Sequence, residues 1–275
     1  MSEESRQIRI NDIRLNVVIE GSGPDVILLH GFPDSAYVWR HQIPALVQGG
    51  FRVIAPDLRG CGDSDAPIGK RHYTIDTIID DILGLMSCLD IAKANVIAHD
   101  WGANIGWFLT SRYPQRVESY VALSVGHTLA YRKAGPEQML RAWYAALFLL
   151  PGIAETVCKA LNWRFLRKIT QNHSEIDHWI ETLSRPGRLT AGINWYRANA
   201  VTMLTADVPR VKVPCLGLWS SGDGFLTEWQ MLNSARYCDG PWQYQRIVGA
   251  GHWIPLDAPE TVNRILLAYL RQTAQ

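Results

Sequence analysis

Asn95-Val96-Ile97-Ala98-His99-Asp100-Trp101-Gly102-Ala103-Asn104 is the stretch whose pattern decides how this chain is organised. Its first part, 95–98, is a short apolar run of the kind a strand buried on both faces requires. Its last part opens a helical pattern that continues to Tyr113. Between the two stand Ala98, Asp100 and Gly102, small residues two before and two after a carboxylate. Such spacing permits a strained strand-to-helix turn that lifts the central side chain above the sheet edge. Asp is also a frequent helix cap. The turn therefore carries chemistry only if the other parts of a site exist elsewhere in the chain.

Outward from this stretch, short apolar runs recur at 26–29, 51–55, 117–125, 213–219 and 242–248. Residues 8–19 alternate around Asn11-Asp12, which predicts a β-hairpin. Helical patterns fall at 35–47, 75–89, 103–113, 228–237 and 259–272. Strand alternating with helix predicts an α/β fold, a mostly parallel central sheet with helices on both faces. One region departs from the alternation. Residues 128–208 hold only helical segments, punctuated by Pro136, Pro151-Gly152 and Pro186-Gly187. We expect an inserted helical lid over the carboxyl edge of the sheet, where open α/β sheets bind ligands. Its Trp143, Tyr144, Trp163, Trp179, Trp195 and Tyr196 suit a pocket roof; a separate helical domain remote from any site is the alternative. The domain division expected is 1–127 core, 128–208 lid and 209–275 core.

Composition excludes several classes. The chain has 275 residues, 47% hydrophobic and 19% charged, as expected for a globular protein of one or two domains. Its 27 basic and 26 acidic residues leave a net charge of +1, which points to neither nucleic acid nor a membrane surface as partner. The longest apolar run, 142–150, stops at Pro151 and is about half the ~20 residues a spanning helix needs. The first residues are polar and acidic, unlike a signal peptide. Cys61, Cys88, Cys158, Cys215 and Cys238 are scattered with no Cys-x-x-Cys pair, so free thiols, no metal site and a cytoplasmic location are expected. Eleven tryptophans imply an aromatic-lined cavity or a tryptophan-rich core. No repeat or low-complexity stretch is present.

An aspartate at the turn changes the chemistry expected of it. With a reference pKa of ~3.9, it is ionised at neutral pH and attacks without a base. Attack on an ester or amide would give an anhydride; displacement at saturated carbon gives an alkyl ester. A base is then needed only for the water that hydrolyses that ester. Gly249-Ala250-Gly251-His252-Trp253-Ile254-Pro255 supplies His252 after the last strand, on a loop the glycines keep tight. The orienting carboxylate should come from another strand end. Asp223, after Cys215-Leu216-Gly217-Leu218-Trp219, is placed for this; 124–127 offers no carboxylate, while Asp207 and Asp257 lie in the lid and beyond the base. The chain order Asp100, Asp223, His252 is the nucleophile, acid, base order of one fold. His30-Gly31-Phe32-Pro33, ending the 26–29 strand, can aim a backbone N–H at Asp100, so Phe32 and Trp101 would provide the oxyanion hole. The Gly-rich loop 57–64 lacks phosphate-loop spacing and is expected to be structural.

With these parts in order over nearly the whole length, the chain resembles the α/β-hydrolase superfamily. More narrowly it resembles the branch with an Asp nucleophile, which comprises epoxide hydrolases and haloalkane and haloacetate dehalogenases. The resemblance rests on His30-Gly31-Phe32-Pro33, Asp57 to Ser64, His99-Asp100-Trp101-Gly102 and Gly251-His252-Trp253. It implies the α/β-hydrolase fold, no cofactor, and two lid tyrosines that protonate an epoxide oxygen. Asn194-Trp195-Tyr196-Arg197 is similar to the epoxide hydrolase motif carrying one of them, which implies Tyr196. Pro151-Gly152-Ile153-Ala154-Glu155 is similar to the segment that follows the other, which implies Tyr144, with Tyr131 also available. Haloalkane dehalogenases often carry Asn where this chain has Phe32, and the arginines of haloacetate dehalogenases correspond to Trp101 and Asn104. The expected activity is opening of a small hydrophobic epoxide by water to a diol, through an ester on Asp100. Dehalogenation by the same residues and a non-catalytic binding protein of the fold are the alternatives.

Overall fold

The hairpin expected around Asn11 forms: β1 (Ser5–Ile10) and β2 (Ile13–Glu20) pair antiparallel, with Asn11 at φ 51°. The computed structural model describes residues 5–273, so the polar opening at 1–4 lies outside the described residues. Six further strands follow, β3 (Asp25–Leu29), β4 (Arg52–Pro56), β5 (Ala94–His99), β6 (Val117–Leu123), β7 (Cys215–Ser220) and β8 (Trp242–Ile247). They build one eight-stranded sheet in the order β1-β2-β4-β3-β5-β6-β7-β8. β2 joins β4 antiparallel, and every pairing from β4 across to β8 is parallel. Val26, Ile27, Leu28 and Leu29 are all fully buried, which is why this strand is continuously apolar instead of alternating.

Helices α1 (Gln42–Gln48), α2 (Ile75–Cys88) and α3 (Trp101–Arg112) connect the first parallel strands. The helix expected over 35–47 is broken: a 3₁₀ turn at Ala36–Trp39, capped by Ser35, precedes α1. Pro44 accounts for the break, since its ring would press on the Arg40 carbonyl four residues back and cannot bond to it. Strand β7 begins two residues later than the apolar run because Pro214 has no N–H for the ladder.

Between β6 and β7 come α4 (Thr128–Arg132), α5 (Gly135–Arg141), α6 (Trp143–Phe148), α7 (Ile153–Ile169), α8 (Ile176–Ser184) and α9 (Arg188–Thr205), with no strand among them. Gly152 and Gly187 start α7 and α9 at positive φ, as the expected breakers. These helices are fastened to the sheet-bearing part. The Trp195 indole donates to the Arg59 carbonyl at 3.1 Å, and the Asn199 amide bonds the backbone of Tyr73 and Ile75 at 2.9 and 2.8 Å. After β7 the chain makes α10 (Glu228–Leu232), then β8, α11 (Ile254–Asp257) and α12 (Pro259–Thr273), the last packing beside α1. The pattern expected over 228–237 is thus split, its second half being a 3₁₀ turn.

The 57–64 loop uses its polar groups internally. Asp57 accepts from Ala36 N, Asn16 Nδ2 and Asp63 N, and fully buried Arg59 pairs with Asp81 and Asp12. Among the described residues, no helix is long and apolar enough to cross a membrane, and no cluster of His, Cys, Asp or Glu could hold a metal.

Candidate active site

Asp100 sits between β5 and α3 with φ 52° and ψ −121°, a conformation that costs a non-glycine residue ~1–3 kcal/mol. Its neighbours must be small for contact reasons. A Cβ on Gly102 would fall 2.2 Å from the Leu29 carbonyl, and one on Gly31 would fall 2.2 Å from Asp100 Oδ1. Although Asp100 occupies the N-cap position of α3, its side chain makes no capping bond. The carboxylate instead accepts from the Phe32 backbone N–H at 2.8 Å. Burial would raise its pKa, but the His252 imidazolium, together with His99 and the Trp101 backbone N–H, holds it below the usual carboxylate range.

The structure brings the three polar residues from separate strand ends together. His252 Nε2 lies 3.5 Å from Asp100 Oδ2, and its Nδ1 lies 2.9 Å from Asp223 Oδ2. Asp223 has no freedom to turn away, because its other oxygen accepts the backbone N–H groups of Phe225 and Leu226 at 2.8 and 2.9 Å. Burial pushes the His252 pKa down; the Asp223 and Asp100 carboxylates outweigh it and carry the value up to about 10. The resting imidazole is protonated at neutral pH.

Several residues to which the sequence patterns gave no role of their own hold this group in place. The His252 carbonyl accepts from Ser124 Oγ at 2.8 Å and from His99 Nε2 at 2.9 Å, which places the His99 proton on Nε2. His30 accepts the Leu58 N–H on Nε2 at 2.8 Å and donates from Nδ1 to Gly31 O at 2.9 Å, fixing the turn that aims Phe32. Asp34 is 4% exposed and receives two indole N–H bonds, from Trp179 of α8 at 2.7 Å and from Trp253 at 2.9 Å. This carboxylate ties an inserted helix to the residue that follows His252.

Burial raises the Asp34 pKa to about 7 against the two indole bonds. A carboxyl with a raised folded pKa stabilises the fold fully below its unfolded value and loses that contribution as pH rises through about 7. Asp34→Asn should remove this part of the pH slope. It should also turn an amide NH₂ toward a buried indole, at a cost of ~1–3 kcal/mol. Thermal unfolding of both proteins between pH ~5 and ~8 checks both effects.

Tyr144 on α6 and Tyr196 on α9 face Asp100 across an apolar pocket completed by Phe32, Phe148, Leu166 and Phe225. The two phenol rings are 6.2 Å apart, and Trp101 lies 5.0 Å from Tyr196, edge on. Burial, then the neighbouring phenol and the Asp100 carboxylate, hold the Tyr144 pKa well above that of a free phenol. Burial, with Asp100 next, does the same for Tyr196. Arg197 explains why the two motifs meet. It pairs with Glu155 at 2.7 Å and donates to the carbonyls of Phe148 and Leu150, bolting the 151–155 segment to the helix of Tyr196. Tyr131 is not among the pocket residues. The expected aromatic roof needs correction. Of its six members only Tyr144 and Tyr196 line the pocket; Trp143 is 54% exposed, and Trp163, Trp179 and Trp195 are buried away from it. The pocket encloses about 20 Å³, room for about one water, so a substrate enters only as its walls give.

A parallel sheet with a carboxylate elbow after its central strand and a His–Asp pair after its last two strands has a counterpart among known proteins. The family model described as alpha/beta hydrolase fold matches residues 24–259, and the chain belongs to that family. It is 36% identical to the AB hydrolase superfamily protein YfhM of Bacillus subtilis, over 96% of each chain. It is 32% identical to epoxide hydrolase A of Mycobacterium tuberculosis, again over 96% of each. The crystal structure of epoxide hydrolase A from Mycobacterium thermoresistibile superposes with a TM-score of 0.83 at 30% identity, over 98% of each chain. Within its family the chain is thus epoxide-hydrolase-like.

Proposed function

We propose that this protein opens an epoxide to a vicinal diol in two steps, through an ester on Asp100. The observation that carries the reading is one apolar pocket with an ionised Asp100 on its floor and two protonated phenols, Tyr144 and Tyr196, on the opposite wall. An epoxide's leaving oxygen stays on the product and must receive a proton, which a phenol can supply. A carboxylate oxygen of Asp100 forms the new bond to the epoxide carbon as the ring C–O bond breaks. The ring oxygen takes a tyrosine proton. The helices of 128–208 act as the lid that carries these donors.

The first step also prepares the second. In the resting site two carboxylates flank His252 and keep it protonated. Esterification neutralises Asp100 and leaves one carboxylate instead of two beside the imidazolium. His252 then gives up its proton, which replaces the one the tyrosine lost, and becomes a base. It then takes a proton from water as the water oxygen attacks the ester carbonyl carbon. The backbone N–H groups of Phe32 and Trp101 stabilise the resulting oxyanion, and Asp223 stabilises the imidazolium. On collapse the ester C–O bond breaks, and the departing alkoxide takes the proton of the hydroxyl that water brought to the carbonyl carbon. The diol leaves an ionised Asp100 beside a protonated His252. The names of the relatives support this reading, as does Phe32 in the position where halide-binding would call for a side-chain donor.

A substrate panel tests it. Styrene oxide and small aliphatic epoxides should give diol without added cofactor, while haloalkanes and haloacetates should release little halide. Fast halide release with no diol from any epoxide would replace this reading by dehalogenation. Tight ligand binding with no turnover of either kind would make the site a binding site only.

A further inference from the structure

We propose that the hydrolytic water comes to His252 through a side cavity of its own, separated from the substrate pocket by the ring of Phe225. The inference rests on the two-step reading above and concerns its second step. Once Asp100 is alkylated, the substrate's carbon skeleton fills a pocket that encloses only about 20 Å³ at rest. Water arriving behind the substrate would have to pass through that filled, apolar space. Another approach exists on the far side of His252.

A cavity of about 110 Å³ lies there, between the end of α7 and the loops of Gly224 and Gly251. Gln171, Gly224 and Asp257 form its exposed rim, and buried Thr170 and His252 lie deeper. Four residues line both this cavity and the substrate pocket: Thr170, Phe225, His252 and Trp253. Phe225 is the thin part of that wall. Its ring stands 4.9 Å from His252, 5.7 Å from Trp253 and, on the pocket side, 5.5 Å from Tyr144. One aromatic ring therefore separates the two spaces beside the base.

Polarity selects water for the side cavity. At ~30 Å³ per molecule it has room for about three to four waters. A water needs two to four polar partners, and the walls provide them. His173 Nε2 meets Asp257 Oδ1 at 2.9 Å, the Gly251 N–H donates to Asp257 Oδ2 at 2.9 Å, and the Thr170 hydroxyl keeps lone pairs free while donating to Leu166 O. An epoxide's hydrocarbon body gains nothing there. The mouth is narrow beside Gly224, where an added Cβ would come 2.3 Å from the Gln171 amide nitrogen. Phe225 is on this account a positioning residue: it keeps the alkyl group on one side and admits water from the other.

Gly224→Leu tests this by filling the mouth; the φ of Gly224 lies outside the left-handed region, and the added Cβ displaces only the end of the flexible Gln171 side chain. With styrene oxide, single-turnover mixing resolves ester formation from ester hydrolysis. Formation should stay within about twofold of the unmodified protein, while hydrolysis slows about tenfold or more and the adduct becomes visible by intact mass. Gln171→Ala, which clears the mouth, should leave formation unchanged and hydrolysis no slower. Should Gly224→Leu not fold, Gln171→Trp blocks the mouth from the opposite wall with the same two readouts. Hydrolysis within about twofold of normal in the blocked protein, or equal slowing of both steps, overturns the side approach. Absence of any Asp100 adduct, even in His252→Gln, overturns the two-step reading itself, a result that blocking the mouth cannot produce.

Discussion

His252→Gln should accumulate a covalent ester on Asp100 and stall, whereas Asp100→Ala should form no adduct and turn nothing over. The asymmetry follows from charge. Asp100 needs no base to attack. Without the imidazole it loses the main group that offsets its burial, but the Phe32 and Trp101 backbone N–H donors still favour its charge, so the carboxylate can attack, more slowly. The ester it forms is neutral and needs a base to activate water, a contribution of ~10²–10⁴ in rate. Intact-protein mass spectrometry reads both outcomes at early times. An epoxide adds its full mass, because the opened oxygen is retained; a haloalkane would add only its alkyl group. Undiminished turnover by His252→Gln would remove that residue from the chemistry. The same pair sets the pH behaviour. Ester formation should be flat through neutrality, while hydrolysis should slow as acid protonates the imidazole of the ester form, so the adduct should build up toward low pH. For stability the sign is opposite to that of a salt-bridged acid. With the folded His252 value raised to about 10, its contribution is complete below the unfolded value of ~6.5 and lost as pH rises through about 10.

Tyr196→Phe should slow ester formation ~10²-fold while leaving hydrolysis of the ester and thermal stability nearly unchanged. The substitution keeps the ring that packs against Phe32, Trp101 and Phe148 and removes only the acidic proton. Tyr144→Phe should behave alike, and the double variant should be slower than either. Tyr131→Phe should be close to neutral, since that phenol does not line the pocket. Pre-steady-state rates of adduct formation separate these cases. If Tyr131→Phe slows the first step and Tyr144→Phe does not, the roof assignment is wrong.

What could be seen in the sequence was what short stretches of backbone enforce. The elbow at Asp100 shows itself because its steric demands fall on residues two away, Ala98 and Gly102. The His252 loop is visible for a similar reason, its glycines being adjacent. Asp34 shows the limit. It lies inside a recognisable turn, but its meaning comes from Trp179 and Trp253, 145 and 219 residues away, and no local pattern carries such contacts. The roof is not legible in the sequence for a related reason. Helical periodicity says that an aromatic residue lies on a face, not which neighbour that face meets, and Trp143 and Tyr144 end on opposite sides of one short helix end. The apolar spacing over 35–47 fits one helix, but Pro44 divides it into a 3₁₀ turn and α1.

Arg197 has a mechanical meaning. Among the described residues, no hydrogen bond runs from α6 or α7 to the sheet-bearing part of the chain, whereas α9 is bonded to Arg59, Tyr73 and Ile75. Tyr196 therefore rides on an anchored jaw. Tyr144 rides on a jaw held at two points. Arg197 grips it from α9 through Glu155 and the carbonyls of Phe148 and Leu150. Just ahead of it, Gln138 and Arg141 of α5 are bonded to the 223–227 loop that carries Asp223. A bulkier substrate gains its room only if α6 bends between these two fastenings, so the breadth of molecules the site can accept is governed by the slack in the span between Arg141 and Glu155.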